Sequence, residues 1–411
     1  MKKAISLFLV HKIIVLNLLC ALIATGLGSR SFSIGFLVSS LFVIYLNYPI
    51  PGRKVFYVGL VLLSIILSVS VLAFKQDSSL GRLLIYKVTF IMFRDHWQYG
   101  VGLGQFSLNY LKYQAAYFNH PGFTTKELLL ADNTQHAFND YWQFILERGI
   151  AGVIVLIIVF AVIVKTIYRA LKLTNGSSIV VFAASLLLAI SIAALFMHVF
   201  EGFIARITFM AALVTVFYYN AQSNLKVYLT AIMLSLLLVT FFHWKSYLIR
   251  YSEYQKFRNA EILYKAGYIV DAEKIYCQLF KALESDADYL VGYANVLSTY
   301  GNTLKAERLL EKAVAIQSNN MYYNQLAYVY YLNKKNEKAE QAYLLAVHMV
   351  PNRFVTRFGL YNFYKNTNQS KKAIKIRADI LSLPVKIPSI EIDFIRQSLQ
   401  SDAIVSFMKQ Y

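Results

Sequence analysis

The chain is poor in cysteine, in proline and in acid, and each shortage excludes something. Two cysteines, Cys20 and Cys277, are all that 411 residues contain; one falls in an apolar run and the other in a polar third, so neither a structural disulfide nor a reactive thiol is expected. Charged residues are only 15% of the chain against 57% hydrophobic, too few for an ordinary soluble protein. Acid is scarcer still, with 22 Asp and Glu facing 41 Lys and Arg for a net charge of +19. That excess sits largely at the ends of apolar runs, where it predicts contact with anionic lipid rather than with nucleic acid.

What is abundant is apolar sequence in runs. Seven of them, each roughly the length that crosses a ~30 Å hydrocarbon core, lie near 10–27, 32–48, 56–74, 150–166, 179–199, 203–219 and 227–243. A Met1-Lys-Lys start before an apolar run also suits a signal peptide, but without a convincing small-residue cleavage site it predicts a retained helix. Lys2, Lys3, Arg53, Lys54, Lys165, Arg169, Lys172 and Lys226 fall on one side of this layout, which the positive-inside rule makes the cytoplasm. The polar stretch 75–149, the turn Gly28-Ser-Arg30, the turn His198–Arg206 and everything past Lys245 then face outward. In a bacterium that is the periplasmic side of the inner membrane.

From about Tyr251 the composition changes, and 15 of the 22 acids lie beyond it. Gly267, Ala272 and Tyr276 set a frame that recurs as Gly301, Ala306 and Leu310, then as Lys334, Ala339 and Tyr343. The alanines, ending with Ala373, recur at 33 to 34 residues. This pattern resembles the tetratricopeptide repeat over roughly 255–384, with Pro351 and Pro384 where second helices end. Such arrays hold protein segments in a groove. Tyr322, Tyr323, Tyr328, Tyr330 and Tyr331 are expected to pack between helices more than to line that groove.

The organisation expected is therefore amino-terminal spans over 1–74, a polar loop over 75–149, further spans over 150–245 and a repeat domain over 251–411. The fold class is all-α: a polytopic transmembrane bundle with a carboxy-terminal solenoid. A long polar loop between spans is where chemistry is expected. Its Gly100-Val-Gly-Leu-Gly104 lacks the preceding strand and following Lys-Ser/Thr of a phosphate loop, so the glycines predict a tight turn. Its histidines His96, His120 and His136 are widely spaced and it holds no Asp-x-Asp pair, so neither a metal nor another cofactor is expected.

In order along the chain, Gly28-Ser-Arg30, Ser79-Leu-Gly-Arg82, Asp95-His-Trp-Gln-Tyr-Gly-Val-Gly-Leu-Gly-Gln-Phe106 and Asn139-Asp-Tyr-Trp-Gln-Phe-Ile-Leu-Glu-Arg-Gly-Ile-Ala-Gly152 resemble the motifs of the O-antigen ligase family, over about residues 20–220. These are membrane glycosyltransferases that move glycans from a polyprenyl pyrophosphate carrier. Trp97 stands where the family has proline. Phe138 stands where it commonly has histidine, this chain placing its own two positions earlier, at His136. The family's extra amino-terminal spans lack a counterpart here, which fits a truncated product, an incomplete core or a chain that needs a partner.

The resemblance implies an inverting, metal-independent transfer in which Arg30 and Arg82 hold the pyrophosphate and His136 activates the acceptor hydroxyl. Guanidinium groups grip phosphate oxygens in a fixed geometry, and imidazole accepts a proton near neutral pH. Arg206 and Lys87 stand in reserve, and Glu201 either places a carboxylate near the site or pairs with Arg206. His96 is expected to be structural and His120-Pro121 to form a turn. The acceptor implied is the lipid A core of lipopolysaccharide. A polymerase acting on another carrier-linked glycan and a protein O-oligosaccharyltransferase share the motifs, and a non-catalytic membrane anchor for the repeats is the alternative of another class.

Overall fold

The computed structural model describes residues 2–47, 76–221 and 223–408, and among them every regular element is a helix. The chain divides into two compact units: residues 1–82, 95–103 and 136–246 form one, and residues 83–94, 104–135 and 247–411 the other. The polar stretch 75–149, expected as a single loop, is thus largely helical and shared between the units. Its elements are α3 (Gln76–His96), α4 (Phe106–Asn119) and α5 (Thr125–Leu130), between the amino-terminal α1 (Lys2–Gly26) and α2 (Arg30–Asn47) and the long α6 (Asp140–Leu173).

The first unit is built from apolar helices. To α1, α2 and α6 it adds α7 (Ser178–Ala193), α8 (Phe203–Asn220) and the first part of α9 (Ser223–Lys265). Small residues let these helices approach closely, as packing without a hydrophobic drive requires. A Cβ on Gly35 of α2 would lie 2.3 Å from the carbonyl oxygen of Ala189 on α7. Ala170, Ala183 and Ala212 are buried with Val180, Leu187 and Val216 where α6, α7 and α8 meet. The apolar residues Ile154, Ile157, Ile158 and Val164 of α6 are exposed instead, an outward face suited to lipid.

Six of the seven expected spans fall on helices, and the run near 56–74 lies outside the described residues. Among the described residues, two helices, α6 and α8, with mean hydropathy 3.0 and 1.4, are long and apolar enough to cross a membrane. Val10–Gly26, Arg30–Leu46 and Ser178–Ala193 are apolar but shorter. The run expected to continue to 199 stops at Ala193, and a tertiary contact holds the chain beyond it. The Asp140 carboxylate accepts hydrogen bonds from the backbone N–H groups of Val199 and Phe200, at 2.7 and 3.0 Å, and ties the chain into a turn.

The second unit is a ladder of paired helices. Its pairs are the end of α9 with α10 (Ile269–Leu283), α11 (Ala287–Thr299) with α12 (Thr303–Ile316), α13 (Asn320–Leu332) with α14 (Asn336–Met349), and α15 (Phe354–Asn366) with α16 (Ser370–Ser382); α17 (Ile390–Met408) follows. Ala272, Ala306, Ala339 and Ala373, the alanines of the sequence repeat, are all buried. The residue five positions before each has positive φ: Gly267 at 88°, Gly301 at 90°, Lys334 at 59° and Asn368 at 58°. That left-handed turn reverses the chain between paired helices, which is why glycine opens the first two frames.

Segment 104–135 belongs to this unit and is fastened to the repeats by polar side chains. The Asn352 amide donates to the carbonyls of Leu128, Leu129 and Ala131. Asn133 and Asn320 exchange two hydrogen bonds, and Ser318 donates to the Leu108 carbonyl.

Candidate active site

The Gly-x-Gly-x-Gly segment proves to be a clasp. Gly100, Gly102 and Gly104 all have positive φ, and the chain between them is held to the first turns of α6: Val101 N–H donates to Leu146, Gly102 to Glu147, and Ile150 back to Trp97. Contact is so close that a Cβ on Gly100 would lie 2.3 Å from the Glu147 carbonyl carbon, and one on Gly149 2.6 Å from the Trp97 and Gln98 oxygens. Gly149, at φ 62°, also kinks α6. The kink separates the polar start of the helix from its apolar run.

That polar start is capped by Asn139, whose side chain accepts from the Trp142 N–H. Just before the cap Phe138 has a φ of 52°, a conformation that strains a bulky residue and that persists where the surroundings enforce it. The turn so made puts the Phe138 ring between two groups. The Arg82 guanidinium lies 5.7 Å from the ring centroid, and the His198 imidazole meets the same ring edge-on at 5.7 Å. On the far side His198 stacks on His136, with centroids 4.3 Å apart.

Glu201 completes the group. Its carboxylate is 3.0 Å from His136 Nε2 and 3.8 Å from His198 Nε2. Partial burial pushes the His136 imidazole below the usual histidine range; the Glu201 carboxylate pulls it back up and His198 pushes it down again. His136 therefore remains a neutral base to lower pH than a free imidazole. His198 Nδ1 is buried with no hydrogen-bond partner among the described residues.

The other expected residues sort unevenly. The turn that carries Arg30 lies near this group, since Ser29 donates to the Met197 sulfur at 3.8 Å, and Phe32 and Met197 both pack against the buried cluster of Ile190, Ala193, Ala194 and Val199. Arg206, one residue beyond Ala205 in the first turn of α8, is exposed. Glu201 does not pair with it among the described residues; its partners are the two histidines. Lys87 is engaged elsewhere, on Glu127 at 2.5 Å in the second unit, so it does not join Arg82. His120 caps α4 in extended backbone, as a turn there requires.

Two participants were not assigned from sequence. His198 was legible only as the first member of His198-Val-Phe-Glu201, a spacing that puts two ligating side chains together once the chain turns. Phe138 could be read only as a departure from a motif. The cluster His136, His198 and Glu201, with its ligating atoms all within 4.8 Å of one another, is also large and polar enough to hold a metal ion. The expectation of no metal rests on the spacing of His96, His120 and His136 and on the lack of an Asp-x-Asp pair, neither of which includes His198 or Glu201.

An arginine, a stacked histidine pair and a carboxylate are thus grouped among the apolar helices of the first unit. Residues 14–157 match the family model described as O-Antigen ligase. Among solved structures, the chain is similar to the crystal structure of MamA, with 18% identity and a TM-score of 0.28 over 30% of this chain and 73% of that one. It is also similar to YrrB, described as a TPR protein with an unusual peptide-binding site, with 16% identity and a TM-score of 0.30 over 38% of this chain and 90% of that one. No curated protein matches the chain.

Proposed function

We propose that the chain is an inverting glycosyltransferase of the inner membrane that moves a saccharide from a polyprenyl pyrophosphate carrier to a periplasmic acceptor, the lipid A core in the first instance. The observation that carries this reading is the 3.0 Å contact of His136 Nε2 with Glu201, linked to the Arg82 guanidinium through the His198 and Phe138 rings; the O-antigen ligase match supports it. Donation from Nε2 to Glu201 leaves His136 Nδ1 to accept a proton, and the carboxylate stabilises the imidazolium that forms. The acceptor hydroxyl oxygen attacks the anomeric carbon from the face opposite the leaving group and loses its proton to His136. The carbon–oxygen bond to the pyrophosphate breaks, its electron pair passing to the phosphate oxygen, where Arg82 and Arg30 meet the growing charge.

This reading uses the two histidines and Glu201 as an acid–base group, with no metal, because an ion would have to replace the hydrogen bond that fixes the His136 tautomer. The test is glycan transfer in a strain lacking the gene, complemented with wild type, Arg82→Ala or His136→Ala at matched membrane levels. Lipopolysaccharide, polymer and glycoproteins are profiled together, so that the product class names the acceptor. Loss of one class on either substitution, with transfer in membranes unaffected by EDTA, is the expected result. Wild-type transfer by both substituted chains would make the loop structural and leave a membrane anchor for the repeats. Loss on chelation would convert the trio into a metal site.

A further inference from the structure

The repeats carry a pocket of about 340 Å³ lined by residues of α13 and α15 and by Tyr343 of α14, within the range of pockets that hold small ligands. Its lining is chemically unusual for this chain. With a net charge of +19 overall, the pocket has no charged side chain among its eleven lining residues. Four of the eleven are amides, five are aromatic, and Val355 is the single aliphatic. The amides Asn324 and Gln325 come from α13, and Asn362 and Asn366 from α15, one helical turn apart on the same face.

The site is built. Asn324 is 9% exposed, and its Oδ1 is buried with no hydrogen-bond partner among the described residues. Gly359 makes room for it, since a Cβ there would lie 2.7 Å from that oxygen. That buried oxygen is therefore an acceptor open to a donor from a bound molecule. Tyr328, by contrast, is a lining residue that is 45% exposed.

We propose that this pocket binds an uncharged saccharide. Each amide offers both a donor and an acceptor, which matches hydroxyl groups that are themselves both. The flat faces of Tyr328 and Phe358 suit the apolar C–H faces of a pyranose ring. The lining holds no cation to select phosphate or uronate, and its four amides supply more hydrogen-bonding groups than apolar peptide side chains would use. The site is separate from the one assigned to transfer and does not depend on it.

The test uses the full chain in a detergent without sugar groups. Saturation-transfer NMR is recorded with maltotetraose, cellotetraose and tetra-N-acetylchitotetraose, with tetragalacturonate as the anionic counterpart and a mixed-sequence decapeptide pool as the competing class. Saturation of ring C–H protons in at least one neutral oligomer is expected, weakened about tenfold by Tyr328→Ala or Asn362→Ala and unchanged by Arg82→Ala. Tyr328 is exposed enough for truncation to leave the fold intact, which circular dichroism checks. The proposal is overturned if no neutral oligomer binds, if binding survives both pocket substitutions, or if peptides bind the pocket and sugars do not. Because Arg82→Ala is read in parallel, failure of glycan transfer and failure of this pocket are separable.

Discussion

The two units differ in the use of one acidic side chain: the repeat unit ties glutamates to tyrosines of neighbouring helices, and the apolar unit sets Glu201 beside two histidines. In the repeat unit the hydroxyls of Tyr293, Tyr330 and Tyr364 donate to Glu273, Glu311 and Glu340 at 3.1, 2.9 and 2.8 Å. Glu307 takes both Asn333 and Lys335. These carboxylates are saturated, and each repeats a pairing of neighbouring helices. In the apolar unit Asp140 is likewise used up, on two backbone N–H groups. Glu201 is the exception, exposed and shared by two histidines. A polar group whose partners complete it holds a fold, whereas one left accessible beside titratable neighbours is placed for chemistry.

The sharpest way to break that contrast is to remove one group of each kind. His136→Ala should lower transfer by about 10²- to 10⁴-fold with no change in the thermal unfolding of the chain, while Tyr330→Phe should leave transfer intact and lower the midpoint of unfolding. The reverse outcome would make the histidine pair structural. Next in size is the clasp: Gly100→Ala adds a Cβ into the Glu147 backbone at positive φ, and should destabilise the first unit by about 2 kcal/mol or more, read as loss of folded protein in detergent.

Subtler are the effects on pH. Glu201→Gln removes the charge that raises the His136 pKa, so the acid limb of the transfer rate should move to lower pH. His198→Asn removes the neighbour that lowers it, so the limb should move to higher pH. Profiles measured on both variants check the opposed signs, and parallel shifts would sink the assignment. The smallest effect belongs to the repeats. Lys334→Gly relieves a left-handed residue at the one described frame start where a long side chain holds the turn, and should stabilise by about 1 kcal/mol in a urea titration.

Much of this was legible beforehand because it is periodic or local. The alanine frame predicted the paired helices because close packing tolerates only small residues at those positions, and Gly267 and Gly301 marked turns that glycine alone adopts without strain. The tyrosines were half legible. Tyr322 and Tyr330 are buried as packing residues, but Tyr328 and Tyr331 line the pocket, a division that depends on which face of α13 looks into the pocket. The length of α7 was overestimated for a different reason: hydropathy sees apolar residues and does not see the Asp140 side chain, 59 and 60 positions away from Val199 and Phe200, that stops the helix.

Composition and repeat spacing by themselves determined that the chain is helical, that part of it is apolar enough for lipid, and that its last third is a solenoid. These follow from interactions between residues a few positions apart. Tertiary structure alone decided that Lys87 is spent on Glu127, that Glu201 faces two histidines rather than Arg206, and that Phe138 joins Arg82 to His198. Lys87 and Glu127 are 40 positions apart and the contacts of His136 with Glu201 and of Phe138 with Arg82 and His198 are longer-range still, and nothing in a local pattern records which distant side chain the folded chain will bring alongside.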